Sequence, residues 1–321
     1  MPKHLIVALL ASLLAPLAAA QPAYPSKTLR MIASQAPGGG IDTLCRIVAP
    51  RLADGLGQNV IVENRPGANG SVAAEITAKS PPDGYTFMLG AVGNLGTNVV
   101  FYKKLGYDPL VDLAPVTSAV SSVNVLVVHP SVPVHSVKEL IALARKRPNQ
   151  LAYGSSGTGG AGHLAGALFQ RITRIQLLHV PYKGSGPAVV DLVAGQTQLG
   201  FASQPSVAGF IRDNRLRALA VTAGRRSKLF PQLPTLAEAG APGYESHTWY
   251  GYVVPAKTPQ PIVSRLSQEI TRILNLPEVG PALAAQGFEA WTMTPEAFGA
   301  YLKSESEKWT RIIREAGITE M

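Results

Sequence analysis

A single cysteine, Cys45, stands among 321 residues. That excludes an internal disulfide, and no Cys/His cluster has the spacing of a metal site. Beside Leu44 and Val48, the thiol reads as core packing rather than as a nucleophile. Charge is also scarce, at 15% of residues. The basic excess, 29 Lys+Arg against 20 Asp+Glu, is dispersed along the chain. Arg145-Lys146-Arg147 reads as a helix end and Arg225-Arg226 as a solvated loop, and no aromatic residues interleave with them. The pattern argues against nucleic acid as a partner.

Long apolar runs are absent after the first twenty residues. Lys3 and His4 precede the run Leu5 to Leu14, and Ala18-Ala19-Ala20 follows it. A charged start, a short apolar middle and an A-x-A end are the parts of a secretory signal, too short to span a bilayer. Cleavage is expected after Ala20, giving a periplasmic protein. No cysteine sits just after that point, which argues against a lipid-anchored form. Removing residues 1–20 takes away Lys3 and no acid, leaving 28 basic against 20 acidic side chains, a formal charge of +8. The remaining chain, about 300 residues, is longer than one core usually grows, so two lobes are expected.

Glycine is plentiful and concentrated at two places. Thr28 to Ala33 reads as a buried strand, Ser34 to Gly40 as a glycine-rich turn, and Ile41, Leu44, Cys45, Ile47, Val48 and Leu52 as the apolar face of a helix in which Pro50 predicts a kink. Leu151 to Gly154 repeats the design, with the turn Ser155-Ser156-Gly157-Thr158-Gly159-Gly160 before a helix carrying Leu164, Ala167, Leu168 and Ile172. A helix that starts at such a turn directs unpaired N–H groups and the positive end of its dipole at whatever sits above the strand. Two such turns form a candidate anion site shared between two α/β units.

Between and beyond these turns, strands are expected at 59–63, 85–90, 122–128, 176–180, 198–202, 217–222 and 248–254. Residues 91–98 read as a loop at the C-terminal end of a strand, where open α/β sheets bind ligands. Ser136 and Glu139 predict a capping box. From Pro259 onward the chain reads as helices, the last capped by Thr294-Pro295-Glu296 and ending near Gly317. The expected fold is α/β, a two-lobed binding-protein architecture with a doubly wound sheet and helices on both faces in each lobe. Residues 21–123 and 249–321 form the first, discontinuous lobe and 124–248 the second.

Three chemistries compete for the glycine turns. Gly157-Thr158-Gly159-Gly160-Ala161-Gly162 satisfies the dinucleotide fingerprint, but the next strand ends in His179-Val180-Pro181-Tyr182, with no acid for the ribose hydroxyl. Gly154-Ser155-Ser156-Gly157 is one residue short of a nucleophile elbow, and no Ser/Asp/His set can be ordered. His163 and His179 read as structural polar groups. A binding protein needs only the backbone donors plus the hydroxyls of Ser155, Ser156, Thr158, Ser185 and Ser203. The bland alternative is that the glycines and serines simply make tight turns.

The pieces Tyr24-Pro25-Ser26-Lys27, Ala36-Pro37-Gly38-Gly39-Gly40-Ile41-Asp42, Val62-Glu63-Asn64-Arg65-Pro66-Gly67-Ala68, Pro82-Asp83-Gly84-Tyr85-Thr86, Tyr107-Asp108-Pro109, Ser136-Val137-Lys138-Glu139-Leu140, His179-Val180-Pro181-Tyr182-Lys183-Gly184, Leu216 to Thr222 and Pro234 to Gly240 occur in order over nearly the whole chain. Together they resemble the Bug-type (TctC-like) receptors of tripartite tricarboxylate transporters. The resemblance implies a periplasmic, non-enzymatic, monomeric receptor without cofactor or metal, which closes on a small organic carboxylate and delivers it to integral membrane permease subunits. A sensor handing its ligand state to a membrane signalling protein is the alternative within the same fold.

The resemblance implies a ligand carboxylate held by Ala36, Gly38 and Gly39 on one side and by Ser155, Thr158, Gly159 and Gly160 on the other. Asp42 reads as a residue that orients the first turn, because a carboxylate there would repel the ligand. Ser156, Ala91, Tyr182, Lys183 and Ser203 complete the candidates with Gln35 and Gln204. Family members often carry an aromatic residue at Gln35, a small hydroxyl residue near Ala91 or Val92, and Asp-Asn after Phe201, where this chain has Ala202-Ser203-Gln204. The missing Asp argues against an amino-acid ligand, and Gln35 and Gln204 suit a polar or second carboxylate end.

Overall fold

Strand β1 (Leu29–Ala33) divides its side chains between two apolar layers. Leu29, Met31 and Ala33 join Leu44, Cys45, Val48 and Leu52 of α1 (Gly40–Leu56), while Ile32 joins Ala73 and Ala74 of α2 (Ser71–Ala78) in the other layer. A strand buried on both faces reads as a continuous apolar run, which is why β1 is legible. The computed structural model describes residues 24–315 apart from 103, 183, 228 and 229, and of Pro205 the backbone alone. The expected export signal, Lys183 and the expected helix end near Gly317 lie outside the described residues.

The first sheet has the order β11-β4-β10-β3-β1-β2. Here β2 is Val60–Asn64, β3 is Thr86–Ala91, β4 is Leu113–Ser122, β10 is Thr248–Pro255 and β11 is Phe288–Ala290. β1 pairs in parallel with β2 and β3, and β10 lies antiparallel between β3 and β4. A short π-turn (Gly93–Thr97) and α3 (Asn98–Phe101) follow β3. Helices α9 (Gln260–Leu274) and α10 (Val279–Ala285) pack on the α1 face, and α11 (Pro295–Glu315) packs on the other.

The second sheet has the order β7-β6-β8-β5-β9. Its elements are β5 (Asn124–Val128), α4 (Val137–Lys146), β6 (Ala152–Ser155), α5 (Ala161–Thr173), β7 (Leu178–Pro181), α6 (Ser185–Val193), β8 (Leu199–Ser203), α7 (Gln204–Arg212), β9 (Arg217–Val221) and α8 (Leu236–Ala239). Leu126 and Val128 of β5 share a core with α4 and α5, whereas Val125 and Val127 share one with Val189, Leu192 and Val207 of α6 and α7. Each sheet is therefore covered on both faces. Helix α1 remains helical past Pro50 to Leu56, and Cys45 is fully buried, with desolvation pushing its thiol far above the ordinary range.

Four expectations need correction. The strand expected at 122–128 is two strands separated by Val123, because Ser122 pairs with Thr248 in the first sheet and Asn124 with Ser203 in the second. Polar side chains complete the crossing: Ser122 Oγ donates to Gly287 O at 3.0 Å, and Asn124 N donates to Thr222 Oγ1 at 3.2 Å. β4 itself escapes hydropathy, since its buried side chains include Thr117 and Ser118, whose hydroxyls bond the carbonyls of Met293 and Trp291. β11 is three residues long and carries no periodic signal. Residues 93–98 are helical rather than a loop, with Asn94 Oδ1 taking the Ala91 N–H at 3.0 Å. The box at α4 is half formed: Ser136 Oγ caps Glu139 N, but the Glu139 carboxylate takes the N–H of His135 at 2.7 Å, one residue upstream of the expected Ser136.

Candidate functional site

The first glycine turn is built by Asp42. Its Oδ2 accepts the Gly38 N–H at 2.9 Å, and its Oδ1 accepts from Asn64 Nδ2 and Arg46 Nη2, each at 2.9 Å. Gly38 has φ +80°, a conformation that side chains resist, so the turn needs glycine there. Asn64 also donates to Gln35 O at 3.0 Å, tying the end of β2 to the turn. Burial raises the Asp42 pKa, but Arg46 and the Gly38 and Asn64 donors outweigh it and hold the carboxyl below its ordinary value. Asp42 is thus a buried structural anion, turned inward to the backbone.

The other groups at this end are placed unevenly. Gly39, the N-cap of α1, supplies no side-chain cap, and Gln35 Oε1 lies 3.5 Å from Ile41 N in the first helical turn. Ala36 is exposed and Ala91 half-buried. The Tyr250 hydroxyl lies 3.2 Å from where a Cβ on Gly40 would stand, and burial pushes its pKa up to about 12. Tyr250 pairs with Ala91 at the end of β3, so its phenol borders the turn.

The second turn hangs from two histidines. Ser155 Oγ accepts the Gly157 N–H at 3.2 Å and lies 2.7 Å from His179 Nε2. His163 Nδ1 accepts the Gly159 N–H at 3.0 Å. Gly160, the N-cap of α5, again provides no side-chain cap. Ser156 is exposed and Thr158 half-buried beside it. Three residues of the first unit reach this turn: Thr97 Oγ1 donates to Gly159 O at 3.3 Å, and a Cβ on Gly159 would stand 2.9 Å from Phe101 and 3.2 Å from Asn69 Nδ2.

The remaining candidates are committed elsewhere. The Tyr182 N–H bonds Ser155 O at 3.0 Å, but its hydroxyl donates to Asp191 at 2.7 Å, and burial ahead of Asp191 pushes its pKa up to about 12. Ser203 Oγ donates to Ser206 Oγ at 2.9 Å. Gln204 is buried, and its amide donates to Ser227 Oγ. Asn69, Thr97 and Phe101 were not singled out by sequence. Asn69 and Gly70 look like an ordinary turn pair, and Phe101 ends an apolar run that reads as core. Among the described residues no cluster of His, Cys, Asp or Glu forms a metal site.

Asp42→Ala is expected to lower ligand affinity about tenfold, because three donors lose one acceptor and the turn loses its shape. Calorimetric titration beside a melting curve checks this. An unchanged affinity would mean that the first turn is not part of the site.

Residues 44–318 match the model of the tripartite tricarboxylate transporter family receptor. Protein BugT of Bordetella pertussis is 37% identical over 295 residues, 92% of this chain and 90% of BugT. The solved structure of R. palustris Rpa4515 with adipate is 36% identical, with TM-score 0.86 over 93% of this chain and all of that one. MatC (Rpa3494) from Rhodopseudomonas palustris with bound malate is 28% identical, with TM-score 0.80 over 90% of this chain and all of that one. The chain therefore belongs to the receptor family of the tripartite tricarboxylate transporters, a family of solute-binding receptors and not of enzymes.

Proposed function

We propose that this protein is a periplasmic receptor that captures a small organic carboxylate between the turns at 35–42 and 155–160 and delivers it to the membrane permease of a tripartite tricarboxylate transporter. The observation that carries this reading is the pair of helix N-termini, at Gly39 and Gly160, without side-chain caps. Each follows a strand end and keeps first-turn donors for an anion. Adipate and malate in the two solved relatives support a dicarboxylate.

In this reading residues 1–20 are a signal peptide removed on export. The first lobe comprises 21–123 and 249–321, and the second comprises 124–248. Among the described strands the chain passes between the sheets twice, from β4 to β5 through the single residue Val123 and again between β9 and β10, so the two units can close as bodies about those crossings. Closure would present a ligand-dependent surface to the permease. Gln35 Oε1, near the first helical turn, is the local acceptor that an incoming carboxylate would displace.

The test is a thermal-shift screen of the mature chain, unfolded and refolded to remove carried-over ligand, against mono-, di- and tricarboxylates, aromatic acids, amino acids and nicotinamide dinucleotides. A ligand that binds only the folded state raises the melting temperature, by about 2.7 kcal/mol of stabilisation at a hundred times its Kd. Dicarboxylates are expected to give the largest shifts. A shift with a dinucleotide alone, or with amino acids above every dicarboxylate, would overturn the reading.

A further inference from the structure

His163, in the first turn of α5, and His179, on β7, stack with ring centroids 4.0 Å apart and planes 16° apart. A further ring is tilted against each imidazole, at 33° for Tyr153 and 49° for Phe101. Tyr153 of β6 faces His179 at 4.9 Å, and Phe101 of α3, from the first unit, faces His163 at 5.7 Å. Each imidazole spends one nitrogen on the second glycine turn: His163 Nδ1 on the Gly159 N–H and His179 Nε2 on Ser155 Oγ, which in turn holds the Gly157 N–H. The two imidazoles therefore hold the turn, each flanked by a further ring, and one of those rings, Phe101, belongs to the opposite unit.

We infer that His163 and His179 are positioning residues which shape the 155–160 turn for anion capture while both are neutral, and that Phe101 completes this support when the two units meet. The inference rests on the carboxylate reading above. A nitrogen accepts from an N–H only when it carries no proton, so His163 holds its proton on Nε2. A second proton would set N–H against N–H at Gly159 and place a positive charge at the positive end of the α5 dipole. Burial, with His179 beside it, lowers His163 to about 3, and burial lowers His179 to about 4. The groups facing the pair are Phe101 from α3, Tyr153 and Ser155 from β6, and the turn itself, none of them charged. His163 sits third in its helix and bonds the N–H just before the N-cap, as the Glu139 carboxylate does at α4. A long side chain with a carbonyl acceptor therefore fits the same reach.

The test compares His163→Gln, which keeps an acceptor, with His163→Leu, which does not, in the full mature chain. Nitrogen NMR of the wild type is expected to show His163 protonated at Nε2 alone from pH 8 to pH 5, with a through-bond coupling from Gly159 N to Nδ1. His163→Leu is expected to move the amide signals of residues 155–160 and to weaken adipate or malate binding at least about tenfold. His163→Gln is expected to restore both nearly to wild type. Protonated Nδ1, or unmoved turn amides in His163→Leu, overturns the inference even if the wild type binds neither acid. Failure of the wild type to bind any carboxylate is a failure of the functional reading, and the NMR comparison stands apart from it.

Discussion

Gly159→Asp is expected to weaken carboxylate binding more than about a hundredfold, a loss of roughly 2.7 kcal/mol. Three effects act together. Gly159 has φ +77°, where an L side chain costs about 1–2 kcal/mol. Its Cβ would stand 2.9 Å from Phe101 and 3.2 Å from Asn69 Nδ2, so the approach of the first unit is blocked. The new carboxylate would also lie one residue before the α5 N-cap, competing with the ligand for the same donors. Gly159→Ala carries the strain and the Cβ without the charge, and so separates the terms. Gly209→Ala, on α7 with nothing within 4 Å of the added Cβ, is the control for substitution itself. Titration calorimetry with a carboxylate identified by the thermal screen measures the loss. Wild-type affinity in Gly159→Asp would place the anion site elsewhere.

How much of this was legible in the sequence follows from where each signal is written. The two glycine turns were legible because an apolar strand, a glycine cluster and an amphipathic helix are all local patterns, and Asp42 in the first helical turn marks its own role. β4 was not legible. Its hydroxyls are buried because the carbonyls of Met293 and Trp291 arrive from about 175 residues away, which no local window contains. The break at Val123 was missed for the same reason. Ser122 and Asn124 belong to different sheets, a fact set by partners at Thr248 and Ser203 rather than by the apolar run itself.

The candidate site divides along the same line. Backbone donors could be named from the turns, but side-chain assignments depended on which way a residue faces. Gln204, read as a ligand contact, spends its amide on Ser227, and the Tyr182 hydroxyl spends itself on Asp191. Asn69, Thr97 and Phe101 reach Gly159 from the other unit. The sequence carries no mark of that meeting, because it is made by two sheets docking.

Glu305→Leu is expected to destabilise the fold by about 3–5 kcal/mol, as breaking a buried charged network does. Glu305 is 6% exposed on α11. Its Oε2 accepts from the indole N–H groups of Trp249 at 3.3 Å and Trp309 at 2.9 Å, and its Oε1 takes Lys308 Nζ at 2.9 Å. Leucine would leave both indole donors buried without an acceptor, at about 1–3 kcal/mol each. Glu305→Gln keeps a carbonyl oxygen for the indoles and is expected to cost less than half as much. Burial raises the Glu305 pKa, but Lys308 and the two indoles outweigh it, so the folded value lies below the ordinary one. A carboxyl depressed in this way stabilises fully above its unfolded pKa, about 4.3, and loses that contribution as pH falls through the folded value. The advantage of the wild type over Glu305→Gln should therefore shrink in acid, which urea unfolding from pH 7 to pH 3 measures. A cost below about 1 kcal/mol for Glu305→Leu would show that the network does not anchor α11. That anchor bears on ligand capture as well as on stability. Ser306, the next residue, donates to Gly96 O at 3.3 Å, and the segment it holds carries Thr97 and Phe101 to Gly159.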